Sequence, residues 1–281
     1  MLDFIFDYSE SGRWKKPFAA HDVGTYPLAN GQTYQGDMPV EETGNMLIMT
    51  TAIAIVDGNA DYAAKHWEIL TAWSNYLAEA GMDPENQLCT EDFAGHLAHN
   101  ANLSAKAIMA IAGYGRLAEM LNKPEEAKKF TEMAKRMAIE WERRADDGDH
   151  YRLAFDMPGT WSQKYNFVWD KVLGLNILPD RIMKKEVTFY LKTQNKYGLP
   201  LDNRFTWGKT DDTVWSATMA DSEGDFQELI RPIWKYVNSS RVPLGDWYET
   251  LNADYINFRA RSVVGGVFMK SLDYYLRNKR K

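Results

Sequence analysis

The chain has 281 residues, of which 45% are hydrophobic, so it is long enough to form one large domain with a substantial core. Its net charge is −6, and its basic residues are dispersed except in the tail at 277–281, so no patch would track a phosphate backbone. We therefore expect no nucleic-acid partner.

The cysteine content and the hydropathy of the chain exclude several kinds of site and of segment. Cys89 is the only cysteine, which excludes an internal disulfide and a cysteine-based metal site. No apolar run is long enough to span a bilayer, and no signal peptide begins at Met1. Because the segment Met1–Tyr8 starts like the second half of an amphipathic helix, we expect further chain, with any targeting signal, upstream of it.

Apolar residues recur at helical spacing almost throughout the chain, in pairs of segments joined by short turns. The predicted hairpins are 46–57 with 62–77, 103–121 with a helix that begins at Pro124, 165–175 with 180–195, and 211–219 with 223–237, followed by a last helix over 260–276. The connections between hairpins are long, at 13–39, 82–101, 147–164, 196–210 and 239–259. Such long loops in a compact domain usually have a functional reason.

Successive antiparallel hairpins form either an open solenoid or a closed ring, and the lack of a repeating period favours the ring. The predicted fold is therefore all-α, an α/α toroid of about six helical hairpins without its first helix, as a single domain over 1–281. Such a ring would expose an apolar face at its opening, beside Phe4, Ile5 and Tyr8, which predicts self-association or contact with upstream domains. If helices alternate inside and outside, the long loops share one face, which is the candidate active site.

The first long loop contains His21 beside Asp22 and ends in the adjacent acids Glu41 and Glu42. Acids at a helix start often complement the helix dipole. Alternatively, one glutamate points into the ring, where burial and the neighbouring acid raise its pKa enough for proton donation. The His21–Asp22 pair is interpreted either as an oriented imidazole that binds substrate or as a hydrogen-bonded pin of the loop.

The second long loop places Asp92, His96 and Asn100 on one face if it continues as a helical turn. A metal site formed by Asp92, His96 and His99 would match no standard zinc spacing, so no metal is predicted. No cofactor is predicted either.

The later loops carry Trp161, Asp202 beside Arg204, Asp246 beside Trp247, and Arg259. An Asp–Arg pair in a loop is usually structural. Together, however, these acids, amides, arginines and aromatic rings describe a site for a small polar substrate such as a sugar or an amino acid.

Several strings along the chain resemble one known family. They are His21–Pro27, Met38–Met46, Gln87–Leu103, Tyr197–Asp202, Val242–Trp247 and Arg259–Phe268. In order and over essentially the whole chain, they resemble the C-terminal six-helical-hairpin domain of the glutaminase A family. The resemblance implies an α/α toroid similar to those of six-hairpin glycosidases, hydrolysis of glutamine to glutamate and ammonia, further domains N-terminal to this one, and a secreted or periplasmic location. It assigns no catalytic residues.

The first functional hypothesis is an amidase that acts on the side chain of glutamine. It needs an activated water or a nucleophile, a proton donor for ammonia and a clamp for the amino-acid head group. Glu41 or Asp92 would supply the acid–base chemistry and bind the ammonium, and Arg204 or Arg259 would bind the carboxylate.

The second hypothesis is a glycoside hydrolase that uses two carboxylates, with Asp92 as acid and Asp246 as base. Trp161, Trp207 and Trp247 would then be platforms for sugar rings. The third hypothesis is a non-catalytic scaffold or carbohydrate-binding domain.

Overall fold

The computed structural model describes residues 1–25, 27–89, 95–241, 245–259 and 262–280, and it describes only the backbone at 245, 246, 257–259 and 262. Contacts between Cα atoms divide the chain into two compact units, 1–141 and 142–281. Each unit has a buried hydrophobic core. The prediction of one domain over 1–281 stays a prediction.

Helices dominate both units, and within the described ranges there are eleven α-helices and three β-strands. They are α1 Leu2–Glu10, α2 Pro39–Asp57, α3 Asp61–Lys65, α4 Trp67–Ala80, α5 Ala101–Met120, α6 Pro124–Ala145, α7 Val168–Leu173, α8 Asp180–Thr193, β1 Trp207–Lys209, α9 Thr210–Thr218, α10 Glu223–Ser239, β2 Gly245–Glu249, β3 Tyr255–Arg259 and α11 Met269–Arg280. Short 3-10 segments at Tyr165–Phe167 and Ser262–Phe268 precede α7 and α11. The helices match the predicted hairpins, except that the helix predicted over 62–77 breaks at His66. The last helix, predicted over 260–276, begins only at Met269, after a 3-10 segment.

In the first unit, α2 and α5 run parallel and pack closely. A Cβ at Gly44 of α2 would lie 2.6 Å from the Cγ of Lys106 on α5. Further along, a Cβ at Gly113 of α5 would lie 2.6 Å from the Oγ1 of Thr51 on α2. Since both contacts advance in the same direction along the two helices, their N-termini lie at the same end. Almost every residue of α5 is buried, as expected for a central helix.

Helix α1, at the start of the chain, packs against α4 within the first unit. The ring of Phe6 is fully buried and stacks on Trp73 of α4, with ring centroids 5.5 Å apart. Ile5 is also buried, whereas Phe4 and Tyr8 are half-buried. The self-association predicted for this end of the chain stays a prediction.

In the second unit, three short strands form an antiparallel sheet in the order β1-β2-β3. Lys209 pairs with Trp247, and Trp247 pairs with Ile256. The ring of Tyr248 stacks on Tyr236 of α10, with centroids 3.7 Å apart. This sheet lies in the segments 196–210 and 239–259, which were predicted to be loops, because strands of three to five residues are too short to show a clear alternation.

Across the part of the chain that the structure describes, no helix combines the length and the hydropathy needed to cross a bilayer.

Candidate active site

The candidate active site lies at the start of α2, where residues of two loops are hydrogen-bonded to the first turns of the helix. Pro39 occupies the first helical position, where its missing N–H would have no partner in the helix. The N–H of the next residue, Val40, donates to Oε1 of Gln87 at 3.0 Å. Thr43 accepts a hydrogen bond from the N–H of Ala19 at 3.0 Å. Residues of both long loops in this unit are therefore tied to the first turns of α2.

Glu41 and Lys106 form a buried ion pair across α2 and α5. Nζ of Lys106 lies 2.5 Å from Oε1 of Glu41, and both residues are at most 3% exposed. The same ammonium donates to Oδ1 of Asn45 at 2.8 Å. Gly44 makes the pair possible, since any larger side chain there would collide with the Lys106 stem. Both charges have lost water, and their mutual attraction offsets that cost only while the pair is intact.

Glu42 is half-buried beside this pair, and its oxygen Oε2 accepts a hydrogen bond from the amide of Asn45 at 3.2 Å. Burial, and then the charge of Glu41, raise the pKa of Glu42 from 4.5 to about 7, against the opposing effects of Asn45 and Lys106. Asn45 thus links the two groups, because its oxygen accepts from Lys106 while its nitrogen donates to Glu42.

This arrangement gives two adjacent glutamates different properties. Glu41 is held by an ammonium, whereas Glu42 has a pKa near neutrality. A carboxyl group with such a pKa is present in both protonation states at pH 7, which suits a group that accepts and then donates a proton. The interpretation that one glutamate has a raised pKa therefore applies to Glu42.

A groove of about 480 Å³ opens next to this first turn. Gly36, Asp37 and Pro39 line it from the first long loop, and Gln87 and His96 line it from the second. Its other lining residues are Tyr76, Glu79, Ala80, Asp83, Glu85 and Asn86. The volume falls within the range of small-molecule sites, about 300–1,000 Å³.

The raised pKa of Glu42 predicts a loss of stability as the pH increases. The native state holds a proton on Glu42 up to about pH 7, whereas the unfolded chain releases it near 4.5. Its contribution is therefore complete below about pH 4.5 and disappears through pH 7. Relative to a Glu42→Gln variant, we expect the parent to lose about 2–3 kcal/mol of unfolding free energy between pH 5 and pH 8. Urea unfolding at both pH values measures this, and parallel curves for the two proteins would contradict it.

His21 and Asp22 organise the first long loop. The carboxylate of Asp22 accepts from the N–H of Gly24 at 2.8 Å and of Thr33 at 3.3 Å. Nδ1 of His21 lies 3.8 Å from Oδ2 of Asp22. The carboxylate of Asp22 therefore pins the loop without a hydrogen bond to the His21 ring, and the binding role predicted for the pair stays a prediction.

Part of the second loop differs from the prediction. His96 and Asn100 do not share a helical turn, because α5 begins only at Ala101 and Asn100 is its N-cap. The Asn100 side chain accepts from the N–H groups of Asn102 and Leu103 at 2.9 and 3.0 Å, so its oxygen closes the helix end. His96 is exposed in the groove. Asp92, predicted as a catalytic acid, lies outside the described residues.

In the second unit, Asp202 and Arg204 pair with each other. Nη2 of Arg204 lies 2.5 Å from Oδ2 of Asp202, and the N–H of Arg204 donates to Oδ1 at 2.7 Å. Trp161 is half-buried, and its N–H donates to Oδ1 of Asn203 at 2.9 Å. The Asp202–Arg204 pair has the geometry of a tight turn, and the binding role predicted for it stays a prediction.

The sheet brings the last predicted residues close in the backbone. Trp247 is buried in β2 opposite Lys209, and Gly245, next to Asp246, pairs with Arg259. The side chains of Asp246 and Arg259 lie outside the described residues. Their catalytic and binding roles stay predictions.

Two groups of polar residues were not predicted from the sequence. Lys106 and Asn45 complete the cluster around Glu42, and Lys106 is the only charged residue from 101 to 115. In the second unit, Lys209 lies 3.5 Å from Asp212, and both are buried with Asp211 at the start of α9. A lone charge within an apolar helix is a signal of a buried partner, since charged residues are rarely buried unless paired.

Comparison with known proteins gives the family. Residues 1–271 match the family model of the glutaminase A six helical-hairpin domain. The chain is 34% identical over 279 residues to Glutaminase A of Aspergillus oryzae, covering 95% of this chain and 40% of that protein. It is 27% identical over 361 residues to a probable glutaminase of Arthroderma benhamiae, covering 95% and 42%. The chain thus spans about two fifths of the length of these relatives.

Solved structures agree on the fold. A possible member of the GH105 family from Salmonella enterica matches with a TM-score of 0.53 at 16% identity, covering 89% of this chain and 74% of that one. Cellobiose 2-epimerase from Bacillus thermoamylovorans matches with a TM-score of 0.52 at 11% identity, covering 98% and 85%. The predicted fold class, an α/α toroid of helical hairpins, is confirmed. The chain belongs to the glutaminase A family, of which it contains the six helical-hairpin domain.

Proposed function

We propose that this chain is the hydrolase domain of a glutaminase A-like protein and that it hydrolyses the side-chain amide of glutamine to glutamate and ammonia. The proposal rests on Glu42, which has a pKa of about 7 and lies beside the Glu41–Lys106 ion pair. The Aspergillus relative named Glutaminase A supports the choice of substrate.

Glu42 would serve as base and then as acid. In its ionised form it takes a proton from water as the water oxygen forms a bond to the amide carbon. The same proton then goes to the leaving nitrogen as the carbon–nitrogen bond breaks, which releases ammonia. The Lys106 ammonium, held by Glu41 and Asn45, places a positive charge beside Glu42 throughout.

The groove next to α2 supplies complementary charge for an amino acid. Asp37, Glu79, Asp83 and Glu85 line it, and a carboxylate lining suits the α-ammonium group of glutamine. In this proposal the α-ammonium group of glutamine binds in the groove, and the amide points toward the start of α2.

A glycoside hydrolase is the second candidate, because the second unit exposes a stacked aromatic pair. Phe205 is 43% exposed, and its ring stacks on that of Trp207 with centroids 4.1 Å apart. Flat exposed rings are suitable platforms for sugars. The acid and base would be Asp92 and Asp246, as the sequence predicts.

An assay panel separates these candidates. Ammonia release from glutamine is measured beside the hydrolysis of aryl glycosides, with this chain and with a longer version that includes upstream domains. We expect ammonia release and no glycoside turnover. Ammonia release absent from both proteins would contradict the proposal. Glycoside turnover lost in both Asp92→Asn and Asp246→Asn would favour the second candidate, and inactivity on every substrate would favour a non-catalytic scaffold or carbohydrate-binding domain.

Location and partners follow from the family as further proposals. We expect the full-length protein to be secreted or periplasmic, and its N-terminal domains to contact this one. Fractionation of cells that express the full-length protein tests the location, and full recovery in the cytoplasm would contradict it.

A further inference from the structure

The outer face of α10 carries an apolar group that the helix does not use for packing. α10 buries Phe226, Leu229, Ile233 and Tyr236 at helical spacing against the second unit. Trp234 lies on the opposite side and is 69% exposed. An exposed tryptophan contributes nothing to the core, and its flat ring is a suitable surface for stacking a ligand.

Trp234 lines a groove of about 420 Å³, a volume within the range of small-molecule sites, about 300–1,000 Å³. Pro232 and Asn238 line it from the same helix, and Lys196 lines it from the segment after α8. Arg231, Lys235 and Ser239 complete the lining. A groove of this volume fits a small ligand or a short stretch of polymer.

The charges around Trp234 are positive, although the chain as a whole has a net charge of −6. The ammonium groups of Lys196 and Lys235 lie 4.8 and 5.4 Å from the ring centroid of Tyr197. Within the described part of the chain, neither lysine forms an ion pair with a carboxylate. Arg231 pairs with Glu228 at 2.7 Å, but both are largely exposed, and such a pair is weak. The groove therefore favours an anionic ligand.

We propose that this groove binds an acidic glycan, with one sugar ring stacked on Trp234 and uronic-acid carboxylates paired with Lys196, Lys235 and Arg231. The exposed face of Trp234 would stack on a sugar ring, and the three cations would pair with the carboxylates of the glycan. Tyr197 holds two of these cations before any ligand arrives, which lowers the ordering cost of binding. The site lies on the outer face of α10, and its role does not depend on glutamine hydrolysis.

Calorimetry with oligogalacturonate at low salt tests the proposal on the full chain. The matched ligand is the methyl ester of the same oligomer, which keeps the rings and removes the charge. The variants are Trp234→Ala, Lys196→Gln with Lys235→Gln, and the control Tyr274→Ala, which removes a ring that is 72% exposed on α11. We expect Trp234→Ala and the lysine variant each to weaken binding about tenfold. The ester should bind more weakly than the acid, and Tyr274→Ala should bind like the parent.

Three results would overturn the inference: no binding of the acid oligomer, equal binding of acid and ester, or an equal loss in Trp234→Ala and Tyr274→Ala. Unfolding curves of each variant show whether the fold is retained, which is expected because all the substituted side chains lie at the surface. If oligogalacturonate does not bind but an acidic peptide does, the groove is a protein-docking site and the glycan proposal is wrong.

Discussion

Replacing Glu42 with Gln is expected to lower kcat for ammonia release from glutamine by about 10²–10⁴-fold, the usual contribution of general acid–base catalysis. Glutamine has nearly the same shape as glutamate, and its side-chain oxygen can still accept the hydrogen bond from Asn45. It cannot take a proton from water at neutral pH. The loss should therefore appear in kcat, while KM changes little.

A matched control separates this effect from the loss of a helix-start charge. Glu125 lies in the first turn of α6, as Glu42 lies in the first turn of α2, but Glu125 is exposed. Glu125→Gln should leave kcat unchanged. If Glu42→Gln retains more than about half of the parent kcat, Glu42 is not the group that transfers the proton, since such a group contributes about 10²-fold or more.

Replacing Lys106 with Met is expected to lower the free energy of unfolding by about 3–5 kcal/mol, because it leaves the Glu41 carboxylate buried without its cation. Methionine fills most of the same space, so the loss reports the charge more than a cavity. Urea unfolding measures the effect.

The double variant Lys106→Met with Glu41→Gln separates the stranded charge from the packing change. Removing both charges should recover much of the lost stability, since replacing a whole buried pair is often nearly neutral. A double variant as unstable as Lys106→Met alone would show that packing around Gly44 and Lys106, and not the charge, stabilises this part of the protein.

Most of the helices could be predicted from the sequence, because a helix such as α5 shows its period over five turns. The sheet could not. β1 is three residues long, and its pairing with β2 joins residues 207 and 249, which no local pattern reveals. The break in the helix at His66 was not predicted either, because the apolar period continues across it.

The candidate site was predicted in part. Glu41 and Glu42 stood out because two adjacent acids open a helix, but the sequence did not show which of them has the raised pKa. The pKa of Glu42 is raised first by burial, which only the fold creates, and the partner of Glu41 is Lys106, which lies 65 residues away along the chain. The predicted stack of His96 and Asn100 failed because the local hydrogen bonds of Asn100 end the loop and begin α5.

The pH dependence of ammonia release tests the central claim most directly. For the parent, kcat/KM for glutamine measured from pH 5 to pH 9 should rise through an inflection near 7, the pKa of Glu42, as its carboxyl group ionises. The low residual activity of Glu42→Gln should show no such inflection. A parent profile that is flat across this range, or the same inflection in Glu42→Gln, would contradict the assignment of Glu42 as the catalytic base.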